Sequence, residues 1–296
     1  MSSSTPLLTD VSDTARWVAY LRALETDRPD ALFRDPFARR LAGDRGKSIA
    51  EAMPNAPGTK PGAQGLASVV AVRTKVFDEL IVESVRATNA DAVLNLAAGL
   101  DARPYRLSLP PSLVWIEADD ATILDPKATL LATEKPTCNV TRIPTDLANA
   151  SARRKLFDHV GSSYTRVVVV TEGLLVYLDE AVVRSLGAEL RALGAVQCWI
   201  LEAIAPEVLE RNMKAWGDVL RRANAEWKFA PANGFAFYSE LGWSPIEARS
   251  FFDEARRLGR KVRHDWIVRL LCAASSAFRT KVGNMVLYGA LRPASA

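Results

Sequence analysis

The stretch 91–119 constrains the fold more than any other part of the chain. It reads D-A-V-L-N-L-A-A-G-L-D-A-R-P-Y-R-L, breaks at Pro110-Pro111, and resumes as L-V-W-I-E-A-D. A short apolar run (Ala92–Leu96) meets a small-residue turn (Ala97, Ala98, Gly99) and then an acid, Asp101. A second apolar run (Leu113–Ile116) closes on Glu117, Asp119 and Asp120. Strand, small turn, helix, strand, acid is the order of a nucleotide-binding α/β unit, in which the turn admits a ligand to the backbone and the later acid takes ribose hydroxyls.

Further apolar runs at 140–143, 167–170 and 197–201 alternate with helical patterns at 152–160 and 179–193. This alternation predicts a doubly wound α/β fold, a mostly parallel sheet with helices on both faces. Val167 to Val170 are all valine, as suits a strand covered on both faces. Upstream, Trp17, Val18, Leu21 and Leu24 share one face of a helix that Asp13 or Thr14 would cap. Asp35-Pro36 opens a second short helix. Residues 54–65 are too rich in Pro and Gly for regular structure and read as a long lid-like loop. Residues 66–87 form a helix with Val69, Val72, Val76, Leu80 and Val85 in its stripe and Arg73 beside it. After Glu202 the alternation stops, and the aromatic-rich segment 203–262 reads as an inserted cap. A helix at 265–278 and an edge strand at 284–291 complete a single domain, with 1–66 as an N-terminal lid region.

Composition excludes several classes. The chain has 296 residues, 24% of them charged, and a net charge of +4 without a long basic block, so no nucleic-acid partner is expected. Its densest basic patches, Arg153-Arg154-Lys155 and 256–263, read as solvated helix faces. Cys138, Cys198 and Cys272 make neither a disulfide framework nor a zinc pattern, so no metal is expected. No apolar run reaches membrane length, and a cytoplasmic protein with no membrane partner is expected. Gly46-Lys47-Ser48 imitates the end of a phosphate-binding loop, but the motif's first glycine falls on Leu41 and no strand precedes it.

The turn also selects among ligands. Pyrophosphate binding by a dehydrogenase needs glycines that Ala97 and Ala98 replace, and Asp101 would repel phosphate. S-adenosylmethionine (SAM) has an ammonium, a sulfonium and a ribose but no phosphate, and fits both features.

The chain resembles the leucine carboxyl methyltransferase family, in particular its bacterial branch of small-molecule O-methyltransferases. The matching segments are T-A-R-W-V-A-Y-L-R-A-L-E (14–25), D-P-F-A (35–38), Arg73 with Phe77-Asp78, L-A-A-G-L-D-A-R-P-Y-R-L (96–107), W-I-E-A-D (115–119), Lys127, Asp146-Leu147, T-E-G-L-L-V-Y-L (171–178) and E-L-G-W (240–243). The resemblance implies a Rossmann-like, class I SAM methyltransferase with a seven-stranded sheet, an N-terminal helical lid and a helical insert after the fifth strand. It implies that Arg73 holds the SAM carboxylate, that Ala97, Ala98 and Gly99 line the methionyl moiety, and that Asp101 stands near the ammonium. Asp119, with Asp120 beside it, would take the ribose, Asp146 and Leu147 would flank adenine, and Glu172 would sit by the ammonium or sulfonium.

Two departures stand out. Where the family has Gly-Ala-Gly this chain has Ala97-Ala98-Gly99, so the backbone is expected in a region alanine occupies. The eukaryotic branch has a substrate-anchoring Arg where this chain has Ala148, leaving Arg103, Tyr177 and Tyr20 as candidate substrate contacts. For Arg103 a structural salt bridge is an equal alternative. The implied reaction is methyl ester formation on a small-molecule carboxylic acid, a natural-product intermediate, by a monomer or homodimer. A carboxylate, with a reference pKa near ~4, is already ionised at neutral pH, so no catalytic base is assigned. A hydroxyl acceptor would need one, and of His159 and His264 the latter would be tested first. A protein C-terminus as acceptor, a nicotinamide-dependent oxidoreductase and a non-catalytic SAM-binding protein are the competing readings.

Overall fold

The computed structural model describes residues 7–53, 63–260, 273–275, 283 and 285–294. Helices α1 (Val11–Thr26), α2 (Ala38–Ala52) and α3 (Ala63–Thr88) precede an alternating series: β1 (Ala92–Leu96), α4 (Arg103–Arg106), β2 (Val114–Asp119), α5 (Ala121–Leu130), β3 (Asn139–Pro144), α6 (Ala150–Ser163), β4 (Val167–Thr171), α7 (Glu180–Ala192) and β5 (Val196–Ile204). Then come α8 (Pro206–Arg222), α9 (Ala236–Ser239), β6 (Trp243–Ser250), α10 (Phe251–Arg257) and β7 (Val286–Pro293). The seven strands run in the order β3-β2-β1-β4-β5-β7-β6. β1 to β5 are parallel, and β7 runs antiparallel to both β5 and β6. The expected doubly wound sheet is present.

Side-chain alternation divides the core between the two faces. Val93, Trp115, Val168 and Val170 pack under α3 with Val72, Val76 and Leu80. Leu94, Ile116 and Val169 face the other way, toward Leu156 of α6 and Leu186 of α7. The four valines of β4 thus serve both cores, and all are fully buried.

Several expectations need correction. The N-cap of α1 is Asp10, whose side chain accepts from the Asp13 N–H; Asp13 and Thr14 lie inside the helix. The segment 203–262 is not wholly an insert, because β6 and α10 lie within it. The last strand is not at the edge: β7 lies between β5 and β6. Arg153 is 3% exposed and turns inward to Glu189 (2.9 Å), and Arg260 is 7% exposed and reaches Glu25 and Asp30; among the described residues of the two patches, Arg154, Lys155, Arg256 and Arg257 are exposed, while 261–263 lie outside the described residues. Of the loop 54–65, residues 54–62 lie outside the described residues and 63–65 already belong to α3. The helix expected at 265–278, apart from 273–275, also lies outside them, as do His264 and Cys272. Gly46 sits inside α2 against the Arg16 backbone, in no phosphate-binding loop. Among the described residues, no helix is long and apolar enough to cross a membrane.

Candidate functional site

The site is built where the parallel strands end. Past β1 the chain turns through Ala97 (φ 54°), Ala98 and Gly99 (φ 48°). The Ala97 N–H donates to Ala118 O (2.8 Å) and the Gly99 N–H to Asp119 Oδ2 (2.6 Å), which ties this turn to the end of β2. The other oxygen of Asp119 accepts from the Asp120 N–H (2.7 Å). Burial raises the Asp119 pKa above the usual carboxylate range, against the lowering effect of these two N–H groups. Asp120 is exposed and caps α5 through the Thr122 N–H (2.8 Å); its bonds to the Thr122 side chain and backbone hold its pKa down. The turn keeps to a region alanine can occupy, but only at a cost. Ala97 is left-handed, a conformation that costs an L-residue about 1–2 kcal/mol.

A cluster of charges stands beside this turn. Arg73 projects from α3 with Nε 2.9 Å from Glu172 Oε1 and Nη1 3.6 Å from Glu202 Oε1. Glu172 follows β4 directly, and Glu202 lies near the end of β5. Between them Gly173 (φ 67°) donates its N–H to Glu202 Oε1 (2.8 Å), and a Cβ at Gly173 would lie 3.7 Å from the Arg73 guanidinium. Burial, with nearby Glu172, raises the Glu202 pKa, while Arg73 opposes the shift. Glu202 was not singled out from the sequence as a site residue; an acid closing the fifth apolar run was the available signal.

Arg103 is 3% exposed and contacts three carboxylates: Asp78 (2.7 Å), Asp101 (2.9 Å) and Glu172 (2.7 Å). Arg106 meets Asp78 (2.6 Å) and lies 3.9 Å from Asp35, which pairs with Arg22 (3.0 Å). Arg22 also donates to Leu100 O (2.6 Å), so an unbroken chain of charges joins α1 to the strand ends. Asp101 accepts from Asn95 Nδ2 and from the Arg103 backbone and guanidinium. Burial alone would raise its pKa, but Arg103, then Lys127 and Arg106, hold it well below the usual range. Beneath the floor, Lys127 and Glu117 form a fully buried pair (2.8 Å), and Glu117 also meets Arg142 (2.9 Å).

The remaining candidates lie at the two ends of this floor. Asp146 is exposed beyond β3 and accepts from the Ala148 N–H (2.9 Å), with Leu147 half-buried against the core. Tyr20 is buried in α1, with the Arg39 guanidinium 5.6 Å from its ring centre. Tyr177 ends a 3₁₀ turn (Leu175–Tyr177) that follows Glu172, and is half-buried beside Trp227, Arg73 and Thr14. Burial raises its phenol pKa above the ordinary value. His159 is exposed on α6, away from these strand ends. Cys138 and Cys198 are buried free thiols, each pushed up to about 11 by burial.

Residues 15–190 match the family described as leucine carboxyl methyltransferase. A protein of Mycolicibacterium paratuberculosis, provisionally named an S-adenosyl-L-methionine-dependent methyltransferase, is 34% identical over 68% of this chain and 66% of its own length. The chain thus spans just under two thirds of that relative. A Mycobacteroides abscessus protein with the same provisional name is 31% identical over 81% of each chain. Among solved structures, a DUF574-family protein from Streptomyces avermitilis (TM-score 0.57, 10% identity, covering 95% of this chain and 97% of that one) shares the fold. So does a provisionally named methyltransferase from Thermobifida fusca (TM-score 0.57, 14% identity, covering 98% and 96%).

Proposed function

The chain belongs to the leucine carboxyl methyltransferase family, and from that premise we propose that it is a SAM-dependent O-methyltransferase that forms a methyl ester on a small-molecule carboxylic acid. The observation that carries the proposal is the setting of Arg73. Its Nε is buried and has no aligned hydrogen-bond partner, although Glu172 stands 2.9 Å away. A buried donor in this state suits an incoming acceptor. A ligand with a carboxylate and an ammonium on one carbon answers both signs here, the carboxylate on Arg73 and the ammonium among Glu172 and Glu202. Asp119 retains lone pairs for ribose hydroxyls, and Asp146 and Leu147 would face the base. The residues fit the cofactor.

When bound, SAM supplies a methyl carbon made electrophilic by its sulfonium. One carboxylate oxygen of the acceptor would form the new C–O bond as the C–S bond broke, with the bonding pair leaving on sulfur. No proton moves. The protein's contribution is alignment, which is worth about 7–11 kcal/mol when reacting atoms are held in line. Arg73 and Glu172 hold one partner, and Arg103 braces Glu172 from behind as a positioning residue. α1 stands over the turn, with Ala15 Cβ 3.6 Å from where a Cβ on Gly99 would lie, and so shields the reacting atoms from water.

The test is incubation of the protein with methyl-labelled SAM and a panel of carboxylic acids, followed by mass spectrometry. A labelled product that mild alkali returns to the free acid supports ester formation. A labelled product stable to alkali would identify a hydroxyl acceptor instead.

A further inference from the structure

The ion pairs at the strand ends do not cancel. Arg22, Arg73, Arg103 and Arg106 are joined in one network with Asp35, Asp78, Asp101, Glu172 and Glu202, and none of these has another ion-pair partner among the described residues. Five carboxylates against four guanidiniums leave one negative charge in excess at neutral pH. Beneath them, Lys127 and Arg142 are matched by Glu117 and Asp119 and add no net charge. The excess sits at Glu202. Asp101 is held well below the usual carboxylate range by Arg103, Lys127 and Arg106, against its burial. Glu202 has Arg73 at 3.6 Å, but that guanidinium stands closer to Glu172 (2.9 Å), which has a second cation in Arg103 (2.7 Å). Burial and Glu172 accordingly leave the Glu202 carboxyl raised despite Arg73. The buried phenols of Tyr238 and Tyr288 also feel its charge and are pushed up, by burial first and by Glu202 next. This end of the network is open to solvent: the side chains of Arg73 and Glu172 are 21% and 14% exposed, those of Arg103 and Arg106 only 4%.

Resting on the methyltransferase reading above, we propose that Glu202 is the residue by which the site tells SAM from its demethylated product, S-adenosylhomocysteine. The two ligands share a carboxylate, an ammonium, a ribose and a base. They differ by one methyl group and by the positive charge of the sulfonium. The shared carboxylate and ammonium cancel each other, so SAM brings one positive charge to the network and the product brings none. With SAM the network's excess is balanced. With the product it stays unbalanced in a mostly buried place, where an uncompensated charge is costly. The discrimination therefore needs no contact with the methyl group itself. Glu202 also has a structural task, since its Oε1 accepts the Gly173 N–H (2.8 Å). A glutamine carbonyl can accept the same bond, so Glu202→Gln removes the charge and keeps the connection.

The test is calorimetric titration of the full chain at neutral pH with three ligands: SAM, S-adenosylhomocysteine, and sinefungin, in which an amine-bearing carbon replaces the sulfonium and keeps a positive charge at that place. Wild type is expected to bind the two cationic ligands more tightly than the neutral one. In Glu202→Gln that preference should shrink about tenfold or more, because a charge acting across a few ångströms at a protein's effective dielectric is worth at least that much. Affinity for S-adenosylhomocysteine should hold or improve. Glu202→Asp keeps the charge and should keep the preference; it also carries the test if Glu202→Gln does not fold. Wild-type binding of S-adenosylhomocysteine as tight as that of both cationic ligands overturns the proposal and leaves the methyltransferase reading intact. So does an equal loss for all three ligands in Glu202→Gln, which would assign Glu202 to holding Arg73 and Gly173 in place, and so does no change at all. A preference lost in Glu202→Asp as fully as in Glu202→Gln would assign the effect to shape and overturn it too. Failure of wild type to bind any of the three overturns both readings.

Discussion

Arg73 Nε and Glu172 Oε1 stand 2.9 Å apart, yet the N–H is not aligned on the carboxylate. The guanidinium is held here by charge, from Glu172 and Glu202, more than by hydrogen bonds. Arg73→Ala would leave Glu202 buried without its counter-charge, and breaking a buried pair in this way costs about 3–5 kcal/mol. Arg73→Lys keeps the charge but loses the planar fork. Its expected result is a near-normal melting temperature with SAM affinity lowered about tenfold by calorimetry. Wild-type affinity in Arg73→Lys would remove Arg73 from the cofactor site.

Ala97 offers a test with the opposite sign. Glycine adopts a φ of 54° without the Cβ penalty, so Ala97→Gly should relieve roughly 1 kcal/mol of strain. For a domain of this size that is about a 2–4 °C rise in melting temperature. Calorimetric SAM affinity should hold, because the backbone path is unchanged. A lower melting temperature would show that the alanine methyl is worth more as packing than it costs as strain.

Asp101 links the charge network to pH. Its folded pKa lies below the unfolded value of about 3.9, so its stabilisation is present above that pH and lost as pH falls through the folded pKa. Glu202 and Asp119 have raised pKa values, so their contributions run the other way, present at low pH and lost as pH rises above about 4. Urea midpoints for wild type and Asp101→Asn should therefore differ most at pH 7 and converge below about pH 4. A gap constant from pH 3 to 7 would show that Asp101 contributes through shape rather than charge.

What the sequence disclosed and concealed follows from the range of the interactions involved. The turn after β1 and the acid ending β2 were legible because apolar runs and small residues are local signals. β6 was hidden because W-S-P-I-E-A-R-S does not alternate and contains Pro245. Its pairing with β7 slips between Pro245 and Glu247, as an edge strand tolerates and an interior one does not. Arg153 and Arg260 read as solvated because each finds its acid on a distant element, the half-buried Glu189 and the buried Glu25. Glu202 acquires meaning only when Gly173 and Arg73 meet it. The open alternative for Arg103, bracing or substrate contact, tilts toward bracing once three carboxylates are seen around it.

The chemistry itself predicts a pH profile. A carboxylic acid acceptor is ionised above a pKa near ~4 and attacks without losing a proton, so kcat/KM should vary little between about pH 6 and 9. Neither Tyr177 nor Asp101 titrates across that window to mimic a base. The Tyr177 phenol is raised above its ordinary value near ~10, Asp101 is fixed as an anion by Arg103, and exposed His159 lies elsewhere. A hydroxyl acceptor would behave differently, since its attack on the methyl group requires a general base and a rising limb through that base's pKa. Initial rates with the best acid from the panel, measured across this range at saturating SAM, separate the two. A slope near one per pH unit through neutrality would exclude the carboxylate mechanism and direct attention to His264.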